Sequence, residues 1–590
     1  MSASASVATA RPNDPGGPGG AATGSQAIES ALRDLRARRA EWARLPVPHK
    51  IVLLERVRDG IGRVADEWIV EAARAKGFPA ESPLAVEEWL TGPWALLFAI
   101  NHYVESLRDI DAVGTPRLPK NALRTRHDGQ LAVRVFPHRW YDRIVLGGIT
   151  AEVWMESGVT AESLPSTMAT FYKELDPEGA LALVLGAGNI AAIAPLDVLD
   201  KMIVEGRVCV LKLNPVNDYL GPLLARAFAP LVERGFVRMV YGGADVGEHL
   251  CLHPLVDEIH VTGSERTYDA ILFGTGAEGE ARKRRNEPRL RKRLTGELGN
   301  VSPTIVCPGR WTDADLRFQA MNVVTQKMLN DGFNCVSTQV LVLPKEWPQA
   351  DVFLEHVREA MRGAPDRLPY YPGASDRVRR ISASTPNAER LDSDRDARVL
   401  VAGIDPESQD DLFQTEAFGA VLAETRIPGH DMRTYLDAAV RFANERLRGT
   451  LGANIIVHPE TERALGPALE DQIARLRYGC TGINVWSAAG FLMAPGTWGA
   501  FPGHTPTDIQ SGVGIVHNAR MFSRAQRTVV RGSFQPFPRG LARGDFSLLP
   551  LPPWFLSHAR GHEVGRRMVE FELRPGLRRL PAVVLAALRG

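Results

Sequence analysis

LALVLGAGNIAAIAPLDVL, residues 181–199, opens with an apolar run and continues into Gly186, Gly188 and Ala191 at G-x-G-x-x-A spacing. The apolar run reads as a buried strand, and the region 196–205 as a helix. Strand, glycine loop and helix in that order look like a dinucleotide fingerprint. That fingerprint expects an acidic residue near the end of the next strand, where it holds the adenosine ribose. The next strand is VCVLKL, and it ends in Lys212, with Asn214 and Pro215 following. The acid is missing, so the loop needs another explanation, and Asn189 becomes the residue to explain.

Working outward, the alternation continues. YLGPLLARAFAPLVERG reads as a helix, VRMVYGG and VDEIHVTG as strands, and a second alternating region runs from 302 to about 485. Short buried strands alternating with helices indicate an α/β protein with parallel sheets. The region 25–107 reads as helical, with apolar residues three and four apart. LAVRVFPHRWYDRIVLGGITAEVWM, rich in Val, Ile and aromatics, reads as extended strands. Residues 1–25 are dominated by Ala, Gly, Ser and Pro and read as a disordered tail without the pattern of a signal peptide.

Bulk composition excludes several classes. Lys plus Arg number 70 against 69 Asp plus Glu, so no overall basic field points to nucleic acid. No uncharged apolar run approaches the ~18 residues a membrane helix needs. The five cysteines (Cys209, Cys251, Cys307, Cys335, Cys480) are scattered, without a C-x-x-C pair. Neither a metal site nor a disulfide framework is expected, and a reducing cytoplasm is the simplest compartment. The basic run ARKRRNEPRLRKR, 281–293, reads as a solvated loop, with a site for a cofactor phosphate as the alternative that no spacing supports.

GAGN, LKLNP, HVTGSE, TGELGNVSP, NDGFNC and TEAFGAV occur in this order. Together they resemble the aldehyde dehydrogenase superfamily, with two departures: ELGN for the usual E-L-G-G, and TEAFGAV without its usual Pro. The resemblance covers about 28–522. It implies a Rossmann-type cofactor domain, an α/β catalytic domain and a β oligomerisation arm. The expected boundaries are a tail at 1–25, a cofactor domain at 26–296 with part of the arm near 130–155, and a catalytic domain at 297–484. A return segment with the rest of the arm is expected at 485–524, and an extension of unassigned role at 525–590.

The same resemblance implies roles. Cys335 would attack an aldehyde carbon as a thiolate. Asn189 and the Cys335 backbone N–H would hold the resulting oxyanion. Glu297 would act as general base on the thioester. Lys212 would bind the adenosine ribose, Gly263 and Ser264 would open a helix at the pyrophosphate, Glu416 would hold the nicotinamide ribose, and Phe418 would pack beside the ring. Pro215 stands where NAD-preferring members carry a Glu, so NADP as well as NAD is expected to serve. The implied reaction is oxidation of an aldehyde to a carboxylic acid by a homodimer or homotetramer. A coenzyme A-acylating dehydrogenase or acyl-CoA reductase, and a non-catalytic structural relative, are the alternatives. The aromatic, apolar stretch NVWSAAGFLMAPGTWGAFPGH, 484–504, reads as core or as a funnel for a hydrophobic substrate.

Overall fold

In the computed structural model the chain is described over residues 22–392, 398–543 and 551–589. The expected tail therefore lies almost wholly outside the described residues. The first helix begins at Ser25.

Leu181–Leu185 is a strand, buried except at its last residue, and runs parallel to Val208–Lys212 on one side and to Glu258–Gly263 on the other. Continuous apolar runs suit such strands because helices cover both faces of a parallel sheet. Val237–Val240 extends the sheet at one end, and Arg293–Leu298 at the other. The short strand Gly512–Val513 then pairs antiparallel with Arg293–Leu298, making six strands among the described residues. Glu297 therefore lies inside a strand of this smaller sheet, and the expected division at 296/297 cuts through that strand.

Among the described residues the larger sheet has eleven strands. Its parallel centre includes Gly452–Val457, Ser302–Cys307, Thr338–Pro344 and Val421–Ile427. Cys480–Ile483 pairs parallel with Gly452–Val457 along one edge and with Ala525–Arg531 along the other. Ala525–Arg531 then pairs antiparallel with Thr150–Met155, which carries Leu131–Phe136 and Leu123–Thr125 beyond it.

Three sequence expectations change here. Residues 525–531 are expected in an extension, but they form the strand that joins the antiparallel strands of 123–155 to the parallel strands of the larger sheet. The return segment 485–524 was expected to supply arm strands. It consists mainly of turns, with the short helix Ala488–Leu492. The stretch 131–155 is also not wholly extended, because the helix Asp142–Val145 separates its two strands.

The N-terminal helices Ser25–Ala43, Val47–Lys76 and Ala95–Val113 pack on the smaller sheet's side of the molecule. Gly77, in the left-handed conformation, ends the second of these, as the helix C-terminus requires. The basic run 281–293 is not simply a loop. Its first residues complete the helix Gly276–Arg285, and several of its charges are paired, among them Lys283 to Asp269 at 2.7 Å and Arg289 to Glu248 at 2.6 Å. No helix among the described residues is long and apolar enough to cross a membrane.

Candidate active site

The loop after Leu181–Leu185 turns tightly. A Cβ placed on Gly186 would lie 2.7 Å from Ala194 Cβ, and one on Gly188 would lie 2.7 Å from Asn214 Oδ1. These glycines permit close approach of the loop to the following helix and to the next strand end. They deliver Asn189, 5% exposed, toward the segment 330–335. Its Nδ2 donates to the Phe333 carbonyl at 3.1 Å. An amide nitrogen carries two hydrogens, so one donor is left after that bond.

Cys335 follows a run of three left-handed residues: Asn330 (φ 53°), Asp331 (φ 55°) and Gly332 (φ 75°). Two successive non-glycine residues in that region are strained and persist only where their surroundings hold them. Here a buried polar network does so. The Asn330 backbone N–H donates to Glu87 Oε2 at 3.0 Å. Its side-chain oxygen accepts from Lys76 Nζ at 3.0 Å and from the Tyr370 hydroxyl at 3.0 Å. Its Nδ2 donates to the carbonyls of Asn189 (3.1 Å) and Phe333 (3.0 Å). Lys76 is paired with Glu88 at 2.6 Å, and Glu87 with Arg367. None of Lys76, Glu87, Glu88 and Tyr370 was singled out in the sequence. On helices, Lys and Glu read as solvated faces, and only the tertiary fold buries them.

The other four cysteines are buried, and burial pushes their thiols up, to about 11 for Cys251 and about 12 for Cys307 and Cys480. Cys335 is partly exposed and lies against a carboxylate: its Sγ donates to Glu297 Oε1 at 3.4 Å. Burial first, and then the negative charges of Glu297 and Glu416, hold its thiol well above the ordinary range. Glu297 is itself 2% exposed, and burial, reinforced by Asp197, raises its carboxyl to about 7. Its second oxygen, Oε2, is buried without a partner among the described residues. Behind it lies a further cluster the sequence did not reveal. Asp197 meets His517 Nε2 at 3.1 Å and accepts from Thr262 Oγ1 at 2.9 Å.

Cys335 stands in the walls of two cavities. One, of 760 Å³, is lined by the 186–189 loop, Lys212, Asn214, Gly263, Ser264, Glu297, Glu416 and Phe418 among others. The other, of 80 Å³, is narrow and mostly apolar. The large cavity thus gathers every sequence-expected site residue except Pro215. Pro215 is exposed and off the wall, because Asn214 turns inward while its Oδ1 accepts from the Val216 N–H at 3.0 Å. Arg289, from the basic run, does reach the wall.

The large cavity has the features of a nucleotide site. A Cβ on Gly247 would meet nothing within 4 Å, and one on Gly263 only Val261 at 3.9 Å, so both positions open onto space. Ser264 caps the helix Glu265–Leu272 by accepting from the Thr267 N–H. Lys212 is 8% exposed and lines the cavity, and burial lowers its pKa. Glu416 Oε1 is buried without a partner among the described residues, and burial raises the carboxyl to about 8. An unpartnered acceptor in that wall suits a ligand hydroxyl.

The aldehyde dehydrogenase family model matches residues 151–366, a span that contains Asn189, Lys212, Glu297 and Cys335. That segment of the chain is similar to the aldehyde dehydrogenase family. Among curated aldehyde dehydrogenases, the N-succinylglutamate 5-semialdehyde dehydrogenase of Sphingopyxis alaskensis is 30% identical over 184 residues, 31% of this chain and 34% of that protein. The 3-succinoylsemialdehyde-pyridine dehydrogenase of a Pseudomonas species is 32% identical over 164 residues, 27% of this chain and 31% of that protein. The matches thus span about a third of these curated relatives.

Two solved aldehyde dehydrogenases share the fold. The NAD-dependent enzyme of Sinorhizobium meliloti has a TM-score of 0.57 at 19% identity, covering 88% of this chain and 89% of that one. Aldehyde dehydrogenase C of Pseudomonas syringae, a mutant in complex with NAD+ and octanal, has a TM-score of 0.58 at 17% identity, covering 88% and 90%.

Proposed function

We propose that the protein oxidises an aldehyde to a carboxylic acid with NAD or NADP. The observation that carries this reading is the place of Cys335. It stands where the large nucleotide-like cavity meets the narrow apolar one, with a buried carboxylate 3.4 Å from its sulfur.

The residues divide the work as follows. As Sγ adds to the aldehyde carbon, its proton passes to Glu297 Oε1, the group already accepting it. The negative charge that develops on the former carbonyl oxygen meets the free N–H of the Asn189 amide and the Cys335 backbone N–H. A nicotinamide nucleotide bound in the large cavity supplies the hydride acceptor. In the wall of that cavity, Lys212 and Glu416 would hold the two riboses, the helix behind Ser264 would face the pyrophosphate, and Phe418 would flank the ring. The acyl group left on sulfur is released by water: once Glu297 has given up the thiol's proton to solvent, its carboxylate, from a carboxyl near 7, is suited to take that water's proton.

The test is a panel of aldehydes with NAD and NADP, with and without coenzyme A, and product analysis. Free acid as product supports the reading. Formation of acyl-coenzyme A in its place would move the protein to the acylating class, and absence of any aldehyde oxidation would leave it a structural relative. Lys212 places a cation in the wall of the large cavity, so NADP as well as NAD is expected to serve, the two differing by less than about a hundredfold in kcat/KM.

A further inference from the structure

The chain beyond 550 reaches the second cavity at Cys335 through two residues. Trp554 and Met568 stand in the wall of the narrow cavity, together with Trp94, Ile149, Val485 and Leu492. The helix Gly561–Leu573, which carries Met568, is fixed there by close packing. A Cβ on Gly565 would lie 2.5 Å from Trp89 Cβ, and one on Gly561 2.9 Å from Val86 Cβ. Asn101 Nδ2 donates to Glu572 through both its backbone oxygen (2.8 Å) and its carboxylate (2.9 Å). Phe571 meets Tyr141 edge-on at 5.1 Å. On the opposite side the Leu556 N–H donates to Thr325 Oγ1 at 3.3 Å, and Phe555 packs on Phe318 at 5.2 Å. The segment 551–573 thus bridges the N-terminal helices and the helix Asp313–Met328 of the catalytic part.

The chemistry of the wall is equally definite. Its two charged members, Glu87 and Glu88, are each committed to a cation, Arg367 and Lys76. Neither leaves a net charge to pair with an ionic substrate, and an unpaired ion is costly in such a setting.

We propose that the segment 551–573 is the substrate-selecting wall of this enzyme. On this reading the substrate is an uncharged aldehyde with a hydrocarbon substituent, and Trp554 and Met568 limit the length of that substituent. The inference rests on the proposed oxidation and adds the substrate class and its determinants.

The experiment measures kcat/KM for straight-chain aldehydes from propanal to dodecanal, with succinic semialdehyde as a charged control, for the wild type, Trp554→Ala and Met568→Ala. A single methylene in an apolar pocket changes kcat/KM by about 10-fold or more. Trp554→Ala is therefore expected to raise the ratio of long-chain to short-chain kcat/KM at least about tenfold. Met568→Ala should move it in the same direction, and the charged control should be the poorest substrate of the wild type. An unchanged chain-length profile in variants that melt like the wild type overturns the proposal, as does a preference for the charged aldehyde. A second measurement separates this proposal from the reaction itself: binding of 1-decanol, an inert probe, followed by intrinsic fluorescence in Cys335→Ala and in Cys335→Ala/Met568→Ala. Decanol binding altered by Met568→Ala in a protein that oxidises no aldehyde would sink the oxidation and keep the wall. Oxidation with no effect of either substitution would do the reverse.

Discussion

Replacing Glu297 by Gln should stabilise the protein and at the same time stop its turnover. The carboxyl is 2% exposed and raised from its ordinary 4.5 to about 7. At about 1.4 kcal/mol per unit, holding it ionised in the folded state costs about 3 kcal/mol. The sign follows from proton linkage. The folded state holds the proton more tightly than the unfolded chain, so this contribution to stability is most favourable below the ordinary pKa. It is lost as pH rises through about 7, and is flat above. Glutamine does not titrate, keeps the shape and can still accept from Cys335 Sγ. The gain in unfolding free energy should therefore be about 3 kcal/mol near pH 8 and should vanish near pH 4. Urea denaturation of both proteins at several pH values reads it directly. Rapid mixing with aldehyde and cofactor reads the other half. The mutant should lose the burst of reduced cofactor together with turnover, because Glu297 is the group that takes the thiol proton; a full burst followed by a stall would confine Glu297 to deacylation. A stability difference that does not change with pH would show that Glu297 is not the buried titrating group, and the reasoning about its role would fall with it.

Asn189→Ala should lower kcat by about 100- to 1000-fold, the usual effect of removing one oxyanion donor. The fold should change little, because the Phe333 carbonyl still accepts from Asn330. A loss below tenfold in steady-state assays would remove Asn189 from the reaction. Lys76→Met leaves Glu88 buried without its cation and should cost about 3–5 kcal/mol in denaturant titrations, with much of it recovered in Lys76→Met/Glu88→Leu. Failure of the double variant to recover would mean that Lys76 acts through Asn330 and not through Glu88. The pH profile of the wild-type deacylation rate should rise through about pH 7, where Glu297 ionises, and a flat profile from pH 5 to pH 9 would exclude it as the base.

The candidate site was legible where it depends on local sequence. The glycine loop before Asn189, the strand-end Lys212 and the polar surroundings of Cys335 all lie in short motifs whose order carries the reading, and the large cavity gathers them. What escaped depends on distance along the chain. Lys76 and Glu88 sit on helices where charges normally face water, and only contact with Asn330, some 250 residues on, buries them. Asp197 and His517 meet across 320 residues. Pro215 was placed by register with an expected Glu, yet the Asn214 turn sends it outward. Ala525–Arg531 carries a strand-like pattern, but nothing local says that it belongs between the arm and the catalytic sheet.

The position of Ala525–Arg531 has a consequence for synthesis. Thr150–Met155 leaves the ribosome early, and its partner strand emerges only some 370 residues later. At ~5–20 residues per second that is a wait of roughly 20–70 seconds with a row of backbone donors and acceptors unmatched. Such an edge invites pairing with any neighbouring chain, including another nascent copy on the same message. The yield of active protein should therefore depend on how crowded the ribosomes are and on what shields that edge during the interval.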